Sequence, residues 1–235
     1  MKKFFAIIAT LVVTSFAFNA KAQLSEIEGM PPYKLGVTVG INNTWFSGSS
    51  DAGTILDANS SNGIKTFDKY TYTVRQGVQV GLNLMVDASP LIPNTFARAE
   101  VKYSLKGAEW EDKDSHISES ISAHYLEVPI HFGYAWYIND YVSLMAETGP
   151  YVAFGMTGED VMKTSHGEKS PKTFGRIVNG NRFDLGWGVQ ASAMFAKNYQ
   201  LHVAYDYGFL NINDSFLQNR NISIGFTWFF ESLFD

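Results

Sequence analysis

The sequence contains no cysteine, so a domain of this size is not held together by disulfide bonds. The same absence excludes a lipoprotein, because the lipid of such a protein is attached to a cysteine. Long hydrophobic runs are missing as well. Glycines interrupt every apolar stretch after Ala22, and none approaches the roughly 18 residues that a membrane-spanning helix needs. A helical membrane protein is therefore excluded.

Helical periodicity and positive charge are also scarce. Aromatic residues make up 15% of the chain and it contains 20 glycines, a composition that favours an all-β domain. Lys and Arg number 18 against 23 Asp and Glu, which gives a formal net charge of -5. This acidic balance argues against a nucleic-acid partner.

The first 22 residues have the pattern of an export signal. Lys2 and Lys3 precede an apolar stretch that ends at Phe18, and Ala20 and Ala22 supply small residues for cleavage. We therefore predict a cleaved signal peptide over residues 1–22 and a single domain over residues 23–235. Removal of the signal takes away three lysines and moves the net charge from -5 to -8.

Eight runs of the mature chain alternate between apolar and polar residues, the period of a β-strand. Each is long enough for the about 9–11 residues with which a tilted strand crosses a bilayer. The predicted strands are 33–46, 73–86, 95–108, 123–137, 141–156, 183–196, 199–210 and 219–230. The connections between them alternate, with long segments at 47–72, 109–122, 157–182 and 211–218 and short ones at 87–94, 138–140 and 197–198.

This alternation of long loops and short turns is typical of outer-membrane barrels. We therefore predict an all-β fold, an eight-stranded antiparallel up-and-down transmembrane β-barrel. Periodicity alone does not separate it from a soluble barrel, but the polar faces do, since they mix charged residues with glycines. Glycine weakens a solvent-facing strand, whereas it leaves room for long side chains in a narrow interior. We expect a lumen filled by side chains, not a pore, with aromatic residues such as Tyr134, Trp136 and Trp228 at the lipid interfaces.

The polar lumen residues are predicted to form a structural network, because buried charges persist only when they are paired. Its members are Arg75, Arg98, Glu100, Lys102, Glu127, His131, Glu147 and Asp184. A three-residue loop at 138–140 would place His131 opposite Glu147, Glu127 opposite Tyr151 and Ala135 opposite Ser143. We also expect Pro129 and Pro150 to cause a bulge or a solvated edge, since each removes a strand hydrogen bond.

A catalytic alternative uses part of the same network. His131, Glu147 and Ser143 could be drawn as a hydrolase triad, in which a carboxylate orients an imidazole that activates a hydroxyl. Ser143 would lie two residue pairs away from His131, too far for a direct hydrogen bond. We therefore expect no catalytic residue, no cofactor and no metal ligand.

Two loop segments carry charge. The run Glu109–His116, with Glu119 beyond it, could bind Ca²⁺ or bridge to lipopolysaccharide through divalent cations, but it lacks the turn glycine of a calcium loop. The segment 157–182 holds a basic cluster that could meet anionic headgroups or a partner. Its members are Lys163, His166, Lys169, Lys172 and Arg176. Simple solvation is the expectation for both segments.

Three stretches carry a resemblance to a known family. Tyr125–Ile130, Glu147–Gly155 and Tyr205–Ile212 resemble the PorT-like outer-membrane β-barrel family of Bacteroidetes, over nearly the whole mature chain. The run 221–230 ends in aromatics and resembles the signal that the barrel-assembly machinery recognises, although residues 231–235 depart from a terminal aromatic. The resemblance implies a small outer-membrane barrel, and the family's namesake is associated with type IX secretion.

The sequence thus predicts a non-enzymatic protein of the bacterial outer membrane with a structural or interaction role. Its expected partners are outer-membrane lipid and lipopolysaccharide, the barrel-assembly machinery during biogenesis, and a surface or secretion partner. Two alternatives remain open, an accessory factor of type IX protein secretion and an outer-membrane lipid-modifying enzyme.

Overall fold

The computed structural model describes residues 33–47, 53–55, 65–67, 73–112, 117–164, 167–169, 181–211 and 218–230. The predicted signal peptide, most of the segment 47–72 and residues 231–235 lie outside the described residues. No helix among the described residues is long and apolar enough to cross a membrane. All regular structure in them is β-strand.

Eight long strands form the body of the molecule. They are β1 (Tyr33–Ser47), β4 (Thr73–Asp87), β5 (Thr95–Asp112), β6 (Ile117–Asn139), β7 (Val142–Thr164), β9 (Phe183–Phe195), β10 (Tyr199–Asn211) and β11 (Gln218–Phe230). Three short strands complete the set, β2 (Gly53–Ile55), β3 (Lys65–Phe67) and β8 (Gly167–Lys169). β2 pairs with β3, and β8 pairs with the end of β7.

The eight long strands close into a ring. Each pairs antiparallel with the long strand before and after it in the chain, and β1 pairs with β11 to complete the circle. Closure leaves no free sheet edge in the body of the barrel. The predicted fold class, an eight-stranded antiparallel up-and-down β-barrel, is confirmed. We call the end with β4–β5, β6–β7 and β9–β10 turns the turn end, and the opposite end the loop end.

The two faces of the wall differ as the alternation predicts. Apolar side chains on the outer face are exposed, as in Leu82 at 66% and Val39 at 51%. Inward-facing side chains are buried, as in Phe229 and Asn221 at 0%. The core of this protein is therefore the barrel lumen, and the outer surface of the barrel is apolar below the loop end.

Two strands are much longer than predicted, and β5 also continues to Asp112, past its predicted end at 108. β6 and β7 have 23 residues each, and both extend past the predicted loop-end limits at 123 and 156. The extra residues pair with one another, with the end of β5 and with β8. We call this extension, residues 107–112, 117–124, 157–164 and 167–169, the loop-end sheet. Its outward-facing residues are largely polar, so the apolar outer face that marks the other strands does not extend into it.

The predicted register of the β6–β7 hairpin is wrong by two residues. The Asn139 side chain accepts hydrogen bonds from the backbone N–H groups of Tyr141 and Val142, both at 2.9 Å. This capping closes a tighter turn than expected, with Asn139 paired to Val142. His131 therefore lies level with Gly149 and not Glu147.

The same shift moves the other predicted pairs. Glu127 is opposite Ala153 instead of Tyr151, and Ala135 is opposite Met145 instead of Ser143. Because the shift is two residues, every side chain stays on its predicted face.

The bulge expected at Pro129 and Pro150 is absent. Pro129↔Tyr151 and Phe132↔Thr148 keep one register, and Pro150 pairs regularly with Trp187. The irregularities of this hairpin lie instead between His124 and Tyr125 and between Tyr137 and Asn139. Gly149 allows β6 and β7 to keep a regular register past the prolines, because a Cβ at this position would lie only 2.1 Å from the Ile130 carbonyl oxygen. The two strands come together there more closely than any side chain permits.

We predict that Gly149→Ala destabilises the barrel by about 1–3 kcal/mol or more, because the clash is with backbone that cannot move without breaking the ring. Gly208→Ala is the matched control, since a Cβ there meets its nearest atoms at 3.1 Å and needs only a small adjustment. Urea unfolding of both variants in lipid vesicles measures the difference. Equal stability of the two variants would contradict this account of the hairpin.

Candidate functional site: the side-chain-filled lumen

An apolar cluster closes the lumen at the turn end. Inward-facing residues at the ends of six strands pack together there, each at most 3% exposed. They are Met85, Phe96, Ala135, Met145, Met194 and Phe229. We call this cluster the turn-end plug. It places a packed apolar layer across the base of the barrel.

Arg98 joins the plug to the polar residues above it. Its guanidinium lies over the rings of Phe96 and Phe229, at 5.9 and 5.7 Å from their centroids. Its Nε lies 3.1 Å from Glu147 Oε2, and one terminal nitrogen donates to Gln200 Oε1 at 2.9 Å. A cation that contacts aromatic faces, a carboxylate and an amide is fixed from all sides, so the plug and the layer above it form one unit.

Two carboxylates organise the middle of the lumen. Glu147 also lies 3.2 Å from His131 Nδ1, across one step of the ladder. Glu127 is held by two ammonium groups, with Lys106 Nζ at 2.5 Å from Oε1 and Lys102 Nζ at 3.4 Å from Oε2. Lys102 reaches on to Asp206, at 3.8 Å. These groups are nearly inaccessible to solvent, so their charges are balanced by one another and not by water.

Aromatic and amide groups fill the lumen above the ion pairs. Asp184 accepts hydrogen bonds from the Tyr151 hydroxyl at 3.1 Å and from Asn219 Nδ2 at 2.9 Å. The Lys106 ammonium lies 5.1 Å from the centroid of the Tyr151 ring and 5.8 Å from that of Tyr125. The lumen is therefore occupied by side chains from the turn end up to the base of the loop-end sheet.

Inward-facing glycines make room for two histidine rings in the lumen. Gly188 faces the His131 ring, and a Cβ there would lie 2.8 Å from Nε2. Gly225 faces the His202 ring, where a Cβ would lie 2.5 Å from Nε2. These glycines thus leave space on the inner face of the barrel for side chains from neighbouring strands. This explains why glycines alternate with long polar residues in the sequence.

The eight predicted network residues all lie on inward-facing positions, but they do not form one cluster. Arg98, Glu147 and His131 are in contact, as are Lys102 and Glu127. Asp184 sits higher, with Tyr151 and Asn219. Arg75 lies apart from these groups, with its guanidinium 2.7 Å from the Ser120 hydroxyl. Glu100 lies 3.4 Å from the Asn83 amide and interacts electrostatically with Lys102 and Arg98.

Sequence reasoning left several contributors out of the network. The missed residues are Lys106, Asp206, Gln200, Asn219 and Asn221, and the whole turn-end plug. All occupy the same inward parity of their strands as the predicted members. Strict use of that parity, for uncharged and apolar residues as well as charged ones, would have found them.

The triad drawn from His131, Glu147 and Ser143 does not assemble. The His131–Glu147 contact exists, but Ser143 lies six residues along β7 from the position level with His131. At roughly 3.3 Å per residue this is about 20 Å. The Ser143 hydroxyl therefore cannot be activated by this imidazole.

The charged segments at the loop end are partly strand. Glu109 and Glu111 are exposed on the outer face of β5, while Trp110 between them is buried, so the acidic run is divided between two faces. Burial raises the pKa of the Asp160 carboxyl on β7, against a hydrogen bond with Glu119 that lowers it. Lys163 lies on β7 and Lys169 on β8. Residues 113–116, His166, Lys172 and Arg176 lie outside the described residues.

Comparison with known proteins identifies the family. A family model described as an outer membrane protein beta-barrel domain matches residues 22–214. A search of curated proteins finds no match.

Among solved structures, OprG from Pseudomonas aeruginosa is similar at 11% identity and a TM-score of 0.44, covering 88% of this chain and 100% of its own. Ail of Yersinia pestis is similar at 15% identity and a TM-score of 0.41, covering 85% and 100%. Neisserial surface protein A is similar at 12% identity and a TM-score of 0.41, covering 86% and 100%.

We predict that Glu127→Gln lowers the free energy of unfolding by about 3 kcal/mol, because it leaves Lys102 and Lys106 buried without a carboxylate. Glu109→Gln, at an exposed position of β5, should change it by less than about 0.5 kcal/mol. Unfolding in urea measures both. The double variant Lys106→Met with Glu127→Gln should recover part of the loss, and strictly additive losses would contradict direct coupling of the pair.

Proposed function

The chain belongs to the outer membrane protein beta-barrel domain family, and on that premise we propose that it is a non-conducting barrel with a structural and interaction role in the envelope. In this proposal the barrel anchors the protein, and the loop-end sheet meets partners outside the cell. The packed lumen is the observation that carries it. A barrel whose interior is filled by the turn-end plug and paired charges has no space through which to pass a solute.

The length of β6 and β7 supports a role of the loop-end sheet in meeting partners outside the cell. A tilted strand needs about 9–11 residues to cross a bilayer, and these two strands have 23 each. The excess forms the loop-end sheet, with β5 and β8 at its sides. Outer-membrane barrels place their long loops outside the cell, so the sheet would project from the cell surface. A paired sheet is a more rigid platform for binding than isolated loops.

Charge on the outer face of this sheet suggests the chemistry of its contacts. Glu109, Glu111 and Glu159 are exposed there. These carboxylates would attract a basic protein surface, or lipopolysaccharide phosphates through bridging divalent cations.

The proposal also includes the route of export, the route of membrane insertion and the kinship with the PorT-like family. Export would use the signal peptide over residues 1–22, and insertion would use the barrel-assembly machinery. Tyr125, Glu127, Glu147 and Tyr151 belong to the PorT-like stretches and are buried in the lumen. The resemblance therefore concerns residues that pack inside the barrel, and it favours no particular partner. An accessory role in type IX secretion remains the alternative. A lipid-modifying activity has less support, because the His131 imidazole and the Ser143 hydroxyl are far apart.

Charge reversal on the loop-end sheet tests the interaction role. We expect a deletion strain to lose envelope integrity, measured as sensitivity to detergent, and the wild-type chain to restore it. Glu109→Lys with Glu159→Lys should assemble in the outer membrane yet fail to restore resistance. Asp140→Lys, an exposed charge at the turn end, is the matched control and should restore it fully.

Full restoration by the double variant would contradict a binding role for the sheet. Lost export of type IX substrates in the deletion strain, with an intact envelope, would favour the secretion alternative instead.

A further inference from the structure

Two acidic side chains meet on the inner face of the loop-end sheet. In the register of the sheet, Ile121 of β6 pairs with Asp160 of β7, and Glu119 lies two residues along β6 on the same face. Diagonal neighbours of this kind are within reach of long side chains. A hydrogen bond joins the carboxyl groups of Glu119 and Asp160, which we call the carboxyl pair. The pair connects β6 to β7 above the lumen network.

A hydrogen bond between two carboxyl groups requires a proton. An ionised carboxylate has only acceptor oxygens, whereas a protonated carboxyl group has one O–H donor. Glu119 and Asp160 can therefore bond to each other only while one of them is protonated. If both were ionised, two negative charges would face each other at contact distance, and repulsion would replace the bond.

The surroundings of the carboxyl pair favour the protonated form. Asp160 is only 8% exposed, and its Oδ1 atom is buried with no hydrogen-bond partner among the described residues. Trp110 of β5, opposite the glutamate of the pair, is likewise 8% exposed. Ile121 packs against the buried side chains of Phe46 on β1 and Ala108 on β5. Such burial removes the water that would stabilise a second negative charge, and it raises the pKa of the Asp160 carboxyl.

Charged groups on the surrounding strands do not neutralise the carboxyl pair. Lys106 of β5 has its ammonium 2.5 Å from Glu127 instead. The Arg75 guanidinium of β4 donates to the Ser120 hydroxyl at 2.7 Å and to a backbone carbonyl of β6 at 3.3 Å. The other charged residues of the sheet occupy other register positions, Glu109, Glu111 and Asp112 on β5, Glu159 and Lys163 on β7, and Glu168 and Lys169 on β8. Among the described residues, no cation contributes to the pKa of Asp160.

We propose that one proton shared between Glu119 and Asp160 holds β6 to β7 in the loop-end sheet, so that the sheet is closed in acid and opens when the proton is lost.

The direction of this pH dependence follows from the raised pKa of Asp160. In the open sheet both carboxyl groups lie in water and have ordinary pKa values, so opening releases the proton. The shared proton therefore stabilises the closed sheet fully below the ordinary pKa of an aspartate, and this stabilisation is lost as the pH rises through the raised value. Contacts of the sheet with a partner would then depend on pH. That consequence rests on the proposed function, whereas the shared proton itself does not.

Amide hydrogen exchange at the loop end tests the proposal. The full chain is folded in lipid vesicles, with EDTA present so that no divalent cation can replace the proton. Exchange of residues 117–124 and 157–164 is followed by mass spectrometry from about pH 4, near the ordinary carboxyl pKa, to about pH 8. Rates are expressed as protection factors, which correct for the intrinsic effect of pH. Loop-end protection should fall by up to about tenfold per pH unit, because opening releases one proton. The β9–β10 hairpin at the turn end should show no such decline.

Variants of the carboxyl pair separate the shared proton from other carboxylates. Asp160→Asn imitates the protonated aspartate, because its amide can donate to the Glu119 carboxylate at every pH, so the loop end should stay protected over the whole range. Glu119→Gln makes the same replacement from the other side and should behave alike. Glu159→Gln, the matched control, removes the neighbouring exposed carboxylate on the outer face and should keep the wild-type decline. Heat-modifiable gel mobility establishes that each variant is folded.

Constant loop-end protection of the wild-type chain across this range would overturn the proposal, as would an undiminished decline in Asp160→Asn and Glu119→Gln. A decline that disappears in Glu159→Gln would overturn it too, because the outer carboxylates would then cause the effect. Since the measurement uses no partner, a failure of the proposed binding role leaves its result unchanged.

Discussion

The structure depends on one geometric constraint, the narrowness of a ring of eight strands. The ring must close because each backbone N–H and C=O group in lipid needs a hydrogen-bond partner. The pairing of β1 with β11 closes it. A ring of this size has an interior just wide enough for side chains. Each inward residue must therefore fit its neighbours in both volume and charge. The glycines beside the His131 and His202 rings provide the volume that these rings need. The ion pairs of Glu127 and Glu147 balance the buried charges.

The lumen is ordered along its axis, and this order separates the roles of the two ends. The turn-end plug is apolar, and Arg98 connects it to the charges above through its contacts with Phe96, Phe229 and Glu147. In our proposal, the packing at this end leaves no path for gating or transport. At the loop end, β6 and β7 continue into a sheet whose outward-facing residues are largely polar. In our proposal the barrel supplies the anchor, and this sheet supplies the contacts of the protein with its surroundings.

Strand positions and faces could be predicted from the sequence because both follow from a period of two, which is a local property. The register of the β6–β7 hairpin could not, because it depends on the Asn139 side chain capping two N–H groups of the turn. The loop-end sheet was missed because its outward-facing residues are largely polar, so the apolar outer face of the other strands does not continue into it. Pairs such as Lys102–Glu127 join different strands, so parity placed both residues in the lumen but could not show which charges meet.

Ion conductance across a planar lipid bilayer tests the central claim, that side chains fill and close the lumen. With the purified, folded chain inserted, the account predicts no stable current steps above the background of the lipid alone. Reproducible, long-lived channel openings that depend on the amount of inserted protein would contradict it, because they would require a continuous aqueous path past Arg98 and the turn-end plug.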